Sequence, residues 1–279
     1  MGVDYGKIFG GALKYAFSVD KILPMFTLYA AMLLFILFMG SIILDSYGAT
    51  TTFALSLIGS IVLFVPVFVA ILLVSTFLVI AYIHNAFQHS KGRYEKLSAS
   101  YHYAKTKYLK TLGAIVITYV VTFAASIVLY PLSIASIFDD SIGLLIARVI
   151  IENAVNIAIS LALLLYLPII VLESKGLIDS LKESFGTFRK NIKAIVIYSL
   201  IWIVMAMILI VPLMLIVLIA IITLAPGVTD IQSLVTTVKA AMHMFAFLML
   251  VIAAIMAYIQ VFYMASVSYL YAQLRHPRR

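Results

Sequence analysis

Six stretches of this chain, residues 22–44, 55–83, 112–137, 153–172, 194–224 and 241–271, contain no Asp, Glu, Lys or Arg. Each is at least 20 residues long. About 20 mainly apolar residues in a helix cross the roughly 30 Å of bilayer hydrocarbon. Strands are a poor alternative, because the runs are too long and lack the alternation of a membrane barrel. Composition agrees. The chain is 65% apolar and 11% charged, against about 25% charged in soluble domains. Both a soluble globular protein and a disordered one are excluded on this basis. The chain reads as an all-α integral membrane protein, one polytopic domain over residues 1–279.

The charges orient the spans. The N-terminal segment, residues 84–111, residues 173–193 and the C-terminal tail hold 17 of the 19 Lys and Arg residues. The other side has only Arg148 and Lys239, beside Asp45, Asp139, Asp140, Glu152 and Asp230. Cytoplasmic loops collect Lys and Arg, so the expected location is the cell membrane with both termini in the cytoplasm. Lys7, Lys14 and Lys21 are spread out instead of clustered before a short apolar core. The first span is therefore read as a retained helix and not a signal peptide. The net charge of +8 fits anionic lipid better than nucleic acid, since no nucleic-acid motif accompanies it.

An internal repeat is visible at an offset of 84 residues. Ser90-Lys91-Gly92 recurs as Ser174-Lys175-Gly176. The stripe Tyr94, Leu97, Tyr101, Ala104, Tyr108 recurs as Ile178, Leu181, Phe185, Phe188, Ile192. Tyr5, Ile8, Ala12, Tyr15 and Val19 follow the same spacing more loosely. Steps of three and four define one face of an amphipathic helix. The expectation is three related hairpins, in units of about 1–89, 90–173 and 174–279, each preceded by a cytoplasmic amphipathic helix. Apolar stripes flanked by lysines suit the headgroup boundary. The candidate headgroup contacts are Lys91, Arg93, Lys96, Lys105, Lys107, Lys110, Lys182, Arg189, Lys190 and Lys193. Packing of these helices on the ends of the bundle is compatible with that role.

The fourth span is the most polar. Its clean apolar run, residues 157–172, has 16 residues and would rise only about 24 Å. Asn153 and Asn156 should therefore enter the membrane, with Glu152 near its edge. Arg148, Glu152 and Asn156 share a face at i, i+4, i+8. With Asn153 and with Gln260 of the last span they form a candidate polar intramembrane site. The plainer role is an interfacial ion pair with asparagine contacts between helices. Pro66, Pro131, Pro168 and Pro212 can kink their spans. Asp139-Asp140, the only adjacent acids, could hold a divalent cation only with further ligands, and a solvated loop is the plainer role.

The sequence has no cysteine. It also lacks a phosphate-binding Gly-rich loop with Lys, a paired-histidine zinc motif and a nucleophile turn. No catalytic residue, metal site or cofactor is assigned, and an enzyme is not expected.

The run Ser180-Leu181-Lys182-Glu183-Ser184-Phe185, followed by Arg189-Lys190-Asn191 and a long apolar helix, resembles uncharacterised six-helix membrane families. These are similar to the membrane domain found beside glycerophosphodiester phosphodiesterases. The resemblance implies a stand-alone, lipid-associated membrane module without the phosphodiesterase catalytic domain. The expected partners are membrane lipids with anionic headgroups, with a protein partner or a second copy also possible, and no nucleic acid. The leading function is a non-enzymatic membrane module that contacts lipid or supports a partner membrane complex. The alternative is a transporter or channel with its polar site on the fourth span.

Overall fold

The structure is a computed structural model. It describes residues 2–46, 50–138, 142–173, 175–224 and 230–275. The Asp139-Asp140 pair, Ser174, Arg278 and Arg279 lie outside the described residues. All regular elements among the described residues are helical. They are α1 (Tyr5–Ala16), α2 (Val19–Asp45), α3 (Thr50–Ser90), α4 (Tyr101–Phe138), α5 (Ile142–Leu163), α6 (Tyr166–Leu172), α7 (Leu177–Lys190), α8 (Ile192–Leu224), α9 (Ile231–Ala240) and α10 (Met242–Arg275). Among the described residues, six segments are long and apolar enough to cross a membrane: Val19–Asp45, Thr52–Ser90, Leu97–Ile127, Ile146–Leu172, Ile192–Ile219 and Met242–Arg275.

The helices run past the apolar stretches at one or both ends, and the fourth span is broken. Residues 164–165 separate α5 from α6. Pro168 has no N–H to donate to the Leu164 carbonyl, and its ring crowds that carbonyl. Leu164 N–H turns back to Leu161 O at 3.3 Å, and Ile169 N–H resumes the ladder on Leu165 O at 3.0 Å. Pro66 and Pro212, by contrast, are carried inside α3 and α8.

The glycines of the two Ser-Lys-Gly copies adopt different conformations. Gly92 has φ +85°, a value that favours glycine. Its N–H donates to His89 O and the Arg93 N–H to Gln88 O. This is the left-handed closure of a helix C-terminus, and it ends α3. Gly176 is extended (φ −63°, ψ 163°) and starts α7. The segment after the first copy does not form a separate surface helix. It passes through a 3₁₀ turn, Leu97–Ser100, directly into α4.

The core is concentrated at one end. On α3, every exposed large apolar side chain lies between Leu55 and Val74. From Thr76 to Phe87 nearly every residue is buried. The same division recurs on α10, where Met244, Phe247 and Leu250 are exposed and 261–271 are almost wholly buried. α10 is the hub, packing on α2, α3 and α1. Ala253, Ala257, Val261 and Ala265 recur every four residues along it and are fully buried. Such a stripe of mostly small residues lets helices approach closely. α2 packs on α3, and α4 on α5, whereas α8 touches α10 only lightly. Apart from Ile192 at its start, the exposed large apolar residues of α8 run from Leu200 to Ile222.

Candidate functional site

The polar residues collect at the packed end, where both described termini meet. Asp4 N–H donates to Gln273 Oε1 at 2.9 Å, and Gln273 Nε2 donates to Asp4 O at 3.1 Å. Asp4 also caps α1 by accepting from the Lys7 N–H at 3.0 Å. That bond is the main reason its carboxyl lies below its ordinary pKa. Across this end α1 lays its buried face, Ile8, Phe9, Ala12, Tyr15 and Ala16. Its Gly11 is required by close approach, because a Cβ there would overlap the Tyr269 ring of α10.

Beneath α1 the 93–96 segment is tied to the bundle by side chains that look isolated in sequence. Tyr15 Oη donates to Asn85 Oδ1 at 2.9 Å, and burial pushes the Tyr15 hydroxyl well above its ordinary pKa. Asn85 Nδ2 donates to Glu95 O and Lys96 O at 3.4 and 3.2 Å. Lys21, 5% exposed, donates to Asp20 and, at 2.8 Å, to Glu95 O. Tyr82 Oη donates to Lys21 O. His84 bonds Ser100 Oγ at 3.0 Å and stacks on Tyr103 at 3.9 Å, while His89 pairs with the Tyr269 hydroxyl.

A second cluster joins α6, α7 and the end of α10. Glu173 accepts from Tyr271 Oη at 2.6 Å, and its carboxylate pairs with Lys175 Nζ at 2.8 Å and with the Arg275 guanidinium at 3.3 Å. Glu183 of α7 pairs with Lys175 and Arg275. Burial raises the Glu173 pKa, but the bonds from Lys175 and Tyr271 and the charge of Arg275 outweigh it and hold the carboxyl below its ordinary value. A cavity of about 420 Å³ beside the cluster is lined by Phe87, Lys91, Leu172, Glu173, Tyr271 and Arg275.

α7 lies where the packed end meets the exposed apolar band. Leu177 abuts Gly113 near the start of the third apolar stretch, and Ser184 Oγ donates to Ala162 O of α5 at 2.7 Å. Its buried face is Ser180, Ser184 and Thr187, while Ile178 and Phe185 stay exposed. In the first copy Leu97 and Ala104 are buried, while their counterparts Leu181 and Phe188 are half-buried against the core. Tyr94 and its counterpart Ile178 are both exposed.

Of the sequence-predicted polar site, Arg148 Nε donates to Glu152 Oε1 at 3.0 Å along α5. Asn153 is exposed and donates to Val149 O of its own helix at 2.7 Å. Asn156 is exposed and Gln260 half-buried. α5 packs on α4, α7 and α8, whereas Gln260 belongs to α10, whose main neighbours are α2, α3 and α1. Arg148, Glu152 and Asn156 share one face of α5, and the structure does not gather Gln260 to them.

The ten candidate headgroup lysines and arginines are all at the packed end. Lys91, Arg93, Lys96, Lys105, Lys182, Arg189, Lys190 and Lys193 are exposed, and Lys107 and Lys110 are half-buried. Lys107 donates to Glu173 O at 3.4 Å. Lys91 Nζ sits 4.1 Å over the Phe87 ring. At the opposite end Lys239 pairs with Asp45 at 2.9 Å. There α9, a helix the sequence reading did not anticipate, begins with a reciprocal cap between Asp230 and Ser233. The spacing of Asp230 and Ser233, three residues apart, was the available signal. No group of three or more His, Asp and Glu side chains placed to hold a metal occurs among the described residues.

Residues 144–274 are similar to a family model described as Domain of unknown function (DUF7847). The matched stretch reaches from α5 into α10 and contains Glu173, Lys175, Glu183 and Tyr271, but none of α1–α4. No curated protein and no solved structure matches the chain.

Proposed function

We propose that the chain is a non-enzymatic integral membrane module whose basic end holds anionic lipid headgroups. The observation that carries this reading is the exposed band of α3. Residues 55–74 rise about 30 Å, the thickness of bilayer hydrocarbon. The Leu73 carbonyl accepts from Tyr108 Oη at 3.2 Å, so the band ends level with Lys105, Lys107 and Lys110 of α4. α7 crosses near that level with Ile178 and Phe185 exposed beside Lys182 and Arg189. A helix with exposed apolar and basic side chains suits the headgroup boundary.

In this reading the basic end is cytoplasmic, and the six spans form three related hairpins with amphipathic segments on that face. Support comes from the 17 basic against 6 acidic residues assigned to that end, a surplus of eleven. Each Lys or Arg near an anionic surface contributes about 1 kcal/mol. The full chain is to be reconstituted in vesicles of mixed phosphatidylglycerol and phosphatidylcholine, and its retained lipid counted by native mass spectrometry. Enrichment of the anionic lipid is expected, reduced when Lys182, Arg189, Lys190 and Lys193 are all changed to Gln. Equal retention of both lipids would end the reading.

The alternative, a transporter or channel, rests on the Arg148–Glu152 pair. It predicts that cysteines placed singly at 153, 156 and 260 react with aqueous reagents. Protection of all three in the reconstituted chain removes it.

A further inference from the structure

We propose that the groove between α3 and α4 is a discrete site for one phospholipid with an anionic headgroup, its phosphate on Lys105 and one acyl chain on α3. This rests on the membrane reading above and goes further by assigning one lipid to one place. The groove has a volume of about 380 Å³ and is lined by Leu73, Val74, Phe77, Lys105 and Tyr108. It lies at the lower limit of the exposed apolar band, where a bilayer would pass from chains to headgroups. Its walls are fixed by the Tyr108 bond to Leu73 O and by Phe77 packing on Tyr101 at 5.5 Å between ring centroids.

Lys105 is the basic residue that lines this groove. Lys107 is engaged with Glu173 O, Lys91 with the Phe87 ring, and Lys175 with two carboxylates. Lys105 is exposed and has no carboxylate partner among the described residues. A cation at the rim of an apolar floor is complementary to an amphiphile. A soluble anion would leave the floor uncovered, and a neutral hydrocarbon would leave Lys105 unused. Above the groove, Val69, Val65 and Val62 are exposed at helical spacing from Leu73. They offer a track of about 15 Å, the depth of one leaflet.

The test uses the full chain in nanodiscs containing phosphatidylglycerol with a photoactivatable acyl chain. Labelling is expected to concentrate on the peptide spanning residues 62–77. K105Q should lower it about fivefold, the effect of one lysine near an anionic surface, while K105R retains it. K182Q with K190Q should leave that label unchanged, because these residues belong to α7. Labelling spread evenly over the exposed helices and indifferent to K105Q would overturn the site. In that case phosphatidylglycerol enrichment on the whole chain would still uphold the broader reading. Failure of enrichment with both lysine sets intact ends the broader reading itself. Displacement of the label by excess glycerol phosphate would overturn a lipid as the occupant.

Discussion

Ile61 and Ile80 stand on the same helix, yet Ile61 is 58% exposed and Ile80 is fully buried. The contrast extends to the whole molecule. At the basic end, α1, α2, α3 and α10 enclose a core knitted by tyrosines, Asn85 and Lys21. In the other half, the apolar side chains of α3, α4 and α8 face outward. Water drives apolar side chains together, whereas between helices in lipid that drive is missing, since the surrounding chains are equally apolar. In the proposed reading, the core forms where α3 and α10 leave the bilayer and their apolar residues would otherwise meet water.

The sharpest way to break this comparison is to truncate both isoleucines. Ile80→Ala should cost about 2–5 kcal/mol. Ile61→Ala should stay within about 0.5 kcal/mol. Equilibrium unfolding of the reconstituted chain reads both, and equal losses would refute the division. Next in size is Asn85→Ala, which leaves the buried Tyr15 hydroxyl without its acceptor and removes one donor each from the Glu95 and Lys96 carbonyls, at about 1–3 kcal/mol. Faster hydrogen exchange should appear in residues 93–100 while α8 is unaffected.

The Glu173 cluster gives a pH-dependent prediction. Its carboxyl lies below the ordinary 4.5, so its contribution is complete above that value and fades as pH falls through the lowered one. Spin-label distances between α7 and α10 should lengthen on acidification below 4.5, and Glu173→Gln should flatten that response. The smallest expected effect is at the exposed half. Replacing Arg148 and Glu152 together by Gln removes a half-exposed pair along one helix and should change stability by about 0.5 kcal/mol or less.

The spans were readable because a helix crossing lipid needs some 20 mainly apolar residues and makes charge costly, a constraint written on every residue type. The place where α3 leaves the exposed band was not, since Ile61 and Ile80 are the same letter and only their neighbours differ. The break before Pro168 was foreshadowed by the proline, but Pro66 and Pro212 show that a proline alone does not decide it. α7 was legible as amphipathic, yet its protein-facing side proved to be Ser180, Ser184 and Thr187. Leu181 and Phe188 of the hydrophobic stripe pack half-buried on the core, but the buried positions are the small residues spaced i, i+4 and i+7. The ties at Asn85 and Lys21 were out of reach, because their partners are backbone carbonyls about 10 and 74 residues away.

The hub position of α10 has a consequence for biosynthesis. The helix that α1, α2 and α3 pack against is made after all three, with 151 residues between the end of α3 and its start. At about 5–20 residues per second, the first three helices wait some 8–30 s for their partner. Throughout that interval Tyr269 is absent from the surface around Gly11, and the apolar face of α1 is uncovered. In the membrane reading, a ribosome that stalls before α10 leaves several spans inserted without the helix that α1, α2 and α3 pack against.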